Sequence, residues 1–101
     1  MSESIAQEYD TELGRVVDRL RSMPISKLQA AAEVVHDLGL QLLASSHALG
    51  SPAPTALPEL SPWAFGDMIM VLGRDLRALA QSEADLRAGL AALTSARRRL
   101  P

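Results

Sequence analysis

The segment FGDMIMVLGRDLRALAQSEADLRAGLAALTSARRRL, residues 65–100, decides how the fold is predicted. Large apolar side chains recur along it at alternating spacings of four and three residues, and Glu83 and Arg97 are the interruptions. A repeat of this kind places one apolar stripe along a helix, as in a coiled coil. The pattern therefore predicts one long helix over residues 62–98.

The same segment admits a second interpretation, in which the helix breaks near Gln81. Residues 82–85, Ser-Glu-Ala-Asp, resemble a helix N-cap sequence, and a break there would fold the last turns back as a fourth helix. Neither glycine nor proline occurs at this point to favour a break. We therefore predict the continuous helix and keep the four-helix arrangement as the alternative.

Two shorter helices precede this segment. One apolar stripe predicts a helix over residues 4–22, which Pro24 ends, and a second stripe predicts a helix over residues 26–49, which Gly50 ends. The chain has 33 leucine and alanine residues against 11 valine, isoleucine and threonine residues, a balance that favours helices over strands. The sequence predicts an all-α fold, with one domain over residues 1–101 built as an antiparallel three-helix bundle.

A proline-rich stretch separates the second and third predicted helices. The sequence GSPAPTALPELSP, residues 50–62, holds four of the six prolines. Each proline lacks an amide donor and restricts the residue before it, so a continuous helix cannot form here. We predict a loop over residues 50–61, followed by a helix with Ser61 as its N-cap and Pro62 in its first position.

The third predicted helix is too long for its two companions to cover. At about 1.5 Å per residue it would extend roughly 50 Å, against roughly 30 Å for each of the other two. Large apolar side chains left facing water would each cost roughly 1.5–3 kcal/mol. We therefore expect a homodimer, or a helical partner protein, to cover the stripe. The predicted interface residues are Trp63, Phe65, Ile69, Leu72, Leu86, Leu90 and Leu93.

Small residues follow the same predicted helix at heptad spacing. Gly66, Gly73 and Ala80 form a stripe along which another helix could approach closely. The start of this helix also holds the only tryptophan and the only phenylalanine of the chain, so it is apolar on nearly every side. We predict close helix packing at these three small residues.

The composition excludes several classes of function. The chain has no cysteine, and therefore no disulfide and no thiolate metal site. Its net charge of -2 argues against a general nucleic-acid binder. His36 and His47 lie about 16 Å apart along one predicted helix, too far to bind one metal ion together. No nucleophile, phosphate-loop or metalloprotease motif occurs, so we predict a protein that is not an enzyme and uses no metal or cofactor.

The basic end of the sequence admits two interpretations. Arg97, Arg98 and Arg99 suit the negative end of a helix dipole, which is the ordinary role of such a cluster. They could instead contact an anionic partner. A small regulatory protein that binds nucleic acid or an acidic partner through these arginines is therefore the alternative function.

The N-terminal residues lack the basic and apolar regions of a secretory signal peptide. No segment approaches the roughly 20 apolar residues that a membrane span needs. We expect a cytoplasmic protein without a membrane span, and export without a cleavable signal peptide is the alternative.

A family resemblance rests on three separate stretches of the chain. In chain order they are the Ala/Leu-rich LQAAAEVVHDLGLQLLASSHALG (residues 28–50), the turn PWAFG (residues 62–66) and LRALAQSEADLRAGLAALTSARRRL (residues 76–100). Over residues 27–98 the chain resembles the W-x-G superfamily of type VII secretion substrates and secretion-associated proteins of actinobacteria, although two residues rather than one separate Trp63 from Gly66. The resemblance implies a non-enzymatic helical hairpin that dimerises and is exported folded or acts as an adaptor. We predict a protein–protein interaction module that self-associates or binds a helical partner, linked to type VII secretion.

Overall fold

The structure is a computed structural model that describes residues 4–52 and 56–101. Residues 53–55 of the predicted loop lie outside the described residues, as do residues 1–3. Both described ranges consist of helices and their connections, without a strand. The predicted all-α fold is confirmed.

Five α-helices and one short 3-10 helix make up the described part of the chain. In order they are α1 (Ile5–Ser22), α2 (Ile25–Ala30), α3 (Ala32–Ala48), the 3-10 helix (Pro62–Ala64), α4 (Phe65–Leu79) and α5 (Glu83–Arg99). The antiparallel three-helix bundle is therefore not the arrangement found.

The predicted continuous helix over residues 62–98 is wrong, because the chain leaves the helical conformation between Ala80 and Ser82. Ala80 has a ψ of 128° and Ser82 a ψ of 164°, both extended. The Asp85 carboxylate accepts the amides of Gln81 and Ser82 at 2.9 and 3.3 Å. This capping satisfies amides that would otherwise be unpaired where the helix starts again, so the break needs neither glycine nor proline.

The predicted second helix is divided as well. Ala31 separates α2 from α3, which ends in a glycine-dependent turn. Gly50 has a φ of 94°, a left-handed conformation that glycine adopts without strain. The amides of Gly50 and Ser51 donate to the carbonyls of His47 and Ser46 at 3.0 Å, which pairs the last carbonyls of α3.

The two long N-terminal helices pack on the two C-terminal ones. α1 and α3 each contact both α4 and α5, and hardly contact each other. The Asp10–Arg77 ion pair joins the first half of α1 to the last turn of α4, so these helices run antiparallel. The Ile5 amide donates to Glu83 at 3.1 Å, which joins the starts of α1 and α5, so these helices run in the same direction.

One apolar core lies between these four helices, and the break at residues 80–82 allows it to form. Because α5 turns back, its apolar residues join those of α1 and α3 in the interior of the same chain. The fully buried large side chains are Tyr9, Val16, Val17, Leu20, Leu28, Val35, Leu38, Leu42, Ile69, Leu76, Leu86 and Leu93.

The segment after the proline-rich loop returns along α3. Leu57 packs against Gly39, where an added Cβ would lie 2.7 Å from the Leu57 side chain. Residues from the first turns of α3 and α4 line one cavity, and residues further along both helices line the next. The helices α3 and α4 therefore run in the same direction, with residues 56–60 lying beside both.

Two of the predicted close-packing residues lie against α1. At Gly73 an added Cβ would overlap the side chain of Leu13, and at Gly66 it would lie 3.0 Å from the side chain of Arg21. Ala80 is the residue at which α4 ends. The small residues of α4 thus allow α1 to approach its backbone.

Tyr9 joins α1 to both C-terminal helices. Its hydroxyl donates to the Gly73 carbonyl at 2.6 Å, and its ring lies where a Cβ on Gly89 would be only 3.0 Å away. Burial, with a smaller contribution from neighbouring Asp10, raises the pKa of Tyr9 above its ordinary value. The tyrosine therefore stays neutral at physiological pH and keeps this hydrogen bond.

We expect two glycine-to-alanine substitutions to change stability in opposite directions. Gly73→Ala forces a methyl group into the Leu13 side chain, and overpacking costs about 1–3 kcal/mol against a gain of about 1 kcal/mol in helix propensity. Gly14→Ala, within α1, has no atom within 4 Å of the new Cβ and should gain about 0.5–1 kcal/mol. Urea unfolding measures both. Equal stabilities of the two variants would contradict the close packing of α1 on α4.

Candidate interaction surface

The predicted interface residues divide into a covered group and one exposed residue. The buried members are Phe65, Ile69, Leu86 and Leu93, and the half-buried members are Leu72 and Leu90. The expectation that a second copy covers the leucine stripe is therefore wrong, because the break between α4 and α5 lets the same chain cover it. Trp63 alone of this set faces solvent.

Trp63 is the most exposed large apolar side chain among the described residues. It lies in the 3-10 helix that leads into α4, and 67% of it is exposed. Val71, eight residues later on the outer side of α4, is 56% exposed. An exposed tryptophan is unusual, because its ring offers a large apolar area for burial against another molecule.

An apolar groove adjoins this turn of the chain. We name it the α4 groove, and it has a volume of about 380 Å³. Its lining residues are Leu43, Ala56, Leu57, Pro58, Leu60, Ala64, Asp67, Met68, Val71 and Leu72. The single charged group among them, Asp67, accepts a hydrogen bond from Arg21 at 2.8 Å. The groove therefore presents almost no unpaired charge to a binding partner.

A second cavity is also lined by the segment over residues 56–60, through residues 57–60. It has a volume of about 490 Å³ and shares Leu57, Pro58, Leu60 and Met68 with the α4 groove. Its outer rim carries the polar side chains of α3, including His36, whereas Val35 and Phe65 form its apolar wall. The segment over residues 56–60 thus lines two hollows.

The structure separates the three C-terminal arginines. Arg97 donates to Glu12 of α1 at 2.7 Å, and Arg99 lies 3.5 Å from Asp37 of α3. Arg98 is exposed and forms no ion pair with any residue in the ranges 4–52 and 56–101. The predicted anion-binding set does not act as one cluster, because Arg97 holds α5 to α1.

Glu12 is the most buried acidic group that the structure describes. Its side chain is 10% exposed and accepts hydrogen bonds from Arg97 at 2.7 Å and from Arg15 at 3.0 Å. Burial alone would raise the pKa of Glu12, but the two guanidinium groups outweigh burial and hold that pKa below its ordinary value. Glu12 therefore stays ionised at neutral pH and ties the first half of α1 to the last turn of α5.

The described residues show no arrangement suited to a metal ion. Within residues 4–52 and 56–101 no group of three or more His, Asp or Glu side chains could hold one. In the same ranges, every helix is too short or too polar to cross a membrane.

Comparisons of the chain with protein-family profiles, with curated proteins and with solved structures give no significant match. The resemblance to the W-x-G superfamily therefore stays a prediction. It implies one helical hairpin over residues 27–98, whereas the structure has α3, α4 and α5 over most of that range.

Two features of the surface escaped the sequence analysis. Leu57 and Leu60 predict that the loop folds back over the bundle, but they give no sign that Leu60, 39% exposed, lines the α4 groove. Arg87 lies on the same face of α5 as Arg98, and both line a groove beside α1. Their spacing of eleven residues, three helical turns, was a signal of a shared face that the run of consecutive arginines obscured.

We expect Glu12→Gln to destabilise the fold in a pH-dependent way. At pH 7 the variant loses the ionic character of two hydrogen bonds, at a cost of about 1–3 kcal/mol. Because the pKa of Glu12 is lowered in the folded state, its contribution is present above the unfolded pKa of about 4.3 and is lost as the pH falls through the folded value. The two proteins should therefore converge in stability at low pH.

Chemical unfolding at a series of pH values checks this expectation. Glu33→Gln is the control, because Glu33 is exposed on α3 and forms no ion pair among the described residues. A Glu12→Gln penalty that persists unchanged in acid would show that the carboxylate charge does not carry the effect.

Proposed function

We propose that this protein is a non-enzymatic, helical protein–protein interaction module that self-associates through Trp63 and the α4 groove. The observation that carries the proposal is the exposure of Trp63 directly before Ala64, a residue that lines an apolar groove. Tryptophan is among the residues most enriched at the energetic centres of interfaces.

Burial of apolar surface would stabilise the proposed contact at Trp63 and the α4 groove. Trp63 and Val71 leave apolar area in water, and covering a large apolar side chain is favourable by roughly 1.5–3 kcal/mol. The half-buried residues Met68 and Leu72 continue the same surface into the groove. A partner that seats an aromatic ring here removes water from all of these side chains at once.

A second copy of the chain supplies a matching partner. In a twofold dimer the same patch contacts itself, so one face must offer both a protruding group and a recess. Trp63 is the protruding group and the α4 groove is the recess. Because the one charged lining residue, Asp67, is already paired with Arg21, two copies can approach here without strong repulsion between like charges.

The patch is small, which sets the expected strength of the dimer. Stable interfaces use about 20–30 residues on each partner, whereas this patch consists of Trp63 and the ten lining residues of the α4 groove. We therefore propose a weak dimer that forms at high protein concentration and dissociates on dilution, as in transient regulatory contacts.

Light scattering after size exclusion, over concentrations from about 10 µM to 1 mM, tests this proposal. The wild-type mass should rise with concentration from 10.8 kDa towards twice that value. Trp63→Ala should weaken the dimer about tenfold or more, since it removes the central apolar contact. The matched control is Leu40→Ala, because Leu40 is also an exposed large apolar side chain, lies on α3 and does not line the groove.

The control should dimerise as the wild type does. A wild-type protein that stays monomeric across the whole range, or a Trp63→Ala variant that dimerises normally, would overturn self-association through this face.

The W-x-G resemblance adds a link to type VII secretion to this proposal. Its support is the order of two Ala/Leu-rich stretches around the PWAFG turn. Expression in an actinobacterial host with and without a working type VII system tests the link. Recovery of the chain outside the cells only when the system works supports export, and retention in both hosts contradicts it.

A further inference from the structure

The outer face of α5 forms a groove with α1 that the self-association proposal does not use. Its volume is about 580 Å³, and we name it the α5 groove. The lining residues are Ile5, Arg87, Leu90, Ala91, Thr94, Ser95, Arg98 and Arg99. We propose that the α5 groove binds an acidic amphipathic helix of a partner protein.

Two of the three arginines that line the α5 groove carry a charge that no described residue pairs. Arg87 and Arg98 form no ion pair with any residue in the two described ranges. Glu83, one turn before Arg87, accepts the Ile5 amide at 3.1 Å. Among the residues that the structure describes, these two guanidinium groups therefore have no counter-charge. Carboxylates are their natural partners because Arg binds them in a bidentate geometry.

The floor of the groove is apolar. Leu90 is half-buried, and Ile5 and Ala91 lie beside it. A small anion such as free phosphate would contact the arginines but would leave this floor in water. A helix with one apolar face and acidic residues at its edge covers the floor and pairs the arginines together.

The spacing of the arginines also favours an elongated ligand. Arg87 and Arg98 are eleven residues apart on one face of α5, a distance of about 16 Å along the helix axis. One phosphate or one carboxylate cannot bridge that distance. A partner helix of about three turns can place one carboxylate at each end.

The surroundings favour protein over nucleic acid. A hollow that adjoins the groove shares Leu90 and Thr94 with it and carries Glu8 of α1. A phosphodiester backbone, uniformly negative, would bring charge close to this carboxylate. A helix can place its carboxylates opposite Arg87 and Arg98 and keep them away from Glu8, which matches the charges of the groove and of the adjoining hollow.

The probe for this proposal is a synthetic helical peptide of about 15 residues with leucines on one face and glutamates in its first and last turns. A matched peptide carries glutamine in place of glutamate, and a single-stranded oligothymidine represents nucleic acid. Amide chemical-shift changes in the full chain locate binding, and calorimetry measures the affinity of each probe.

We expect the shifts to fall on α5 and the start of α1, and the glutamate peptide to bind at least about tenfold more tightly than the glutamine peptide. Arg87→Ala combined with Arg98→Ala should weaken binding about tenfold or more. The control is Arg74→Ala, an exposed arginine of α4 that lies outside the α5 groove and should bind as the wild type does. Trp63→Ala should leave peptide binding unchanged, which separates this proposal from self-association.

The proposal would be overturned by equal affinity for both peptides, by stronger binding of oligothymidine than of the glutamate peptide, or by shifts centred on the Trp63 turn. Undetectable binding of the glutamate peptide would do the same.

Discussion

The fold depends on the interruption of the helix between Ala80 and Ser82. A continuous helix would keep a few more backbone hydrogen bonds, each worth about 0.5–1.5 kcal/mol net. Its cost would be the exposure of the leucines that α5 now buries, at roughly 1.5–3 kcal/mol each. The Asp85 carboxylate offsets part of the loss of backbone hydrogen bonds at the break, because it accepts the amides of Gln81 and Ser82. Burial therefore outweighs helix continuity, and one chain closes its own core.

The break determines which parts of the molecule remain for other partners. Once α5 has turned back, α1 lies against both α4 and α5, with the Tyr9 hydrogen bond and the Glu12–Arg97 pair at the two contacts. The leucine stripe is thus buried in the core of the same chain, and Arg97 is paired with Glu12. The Trp63 turn and the outer face of α5 are left on the surface, and both proposed interactions come from these remaining parts.

The helical class and the positions of α1 and the proline-rich segment could be predicted from sequence, because apolar periodicity and proline chemistry act locally. Periodicity could not identify the break, since the apolar residues of α4 and α5 keep the same spacing on both sides of it. The cap sequence that begins at Ser82 can be read from the sequence. Whether the capped break is more stable than a continuous helix depends on the apolar surface that α5 buries. The Arg97–Glu12 and Arg99–Asp37 contacts join residues 85 and 62 positions apart, so the sequence cluster of three arginines could not reveal that two of them are already paired.

The backbone conformation of residues 80–82 in solution tests this account most directly. Carbon chemical shifts from NMR distinguish helical from extended residues one by one. We expect extended values at Ala80 and Ser82, where ψ is 128° and 164°, between two helical stretches. Helical values without interruption from Phe65 to Arg99 would contradict it and would restore a long helix whose leucine stripe requires a partner.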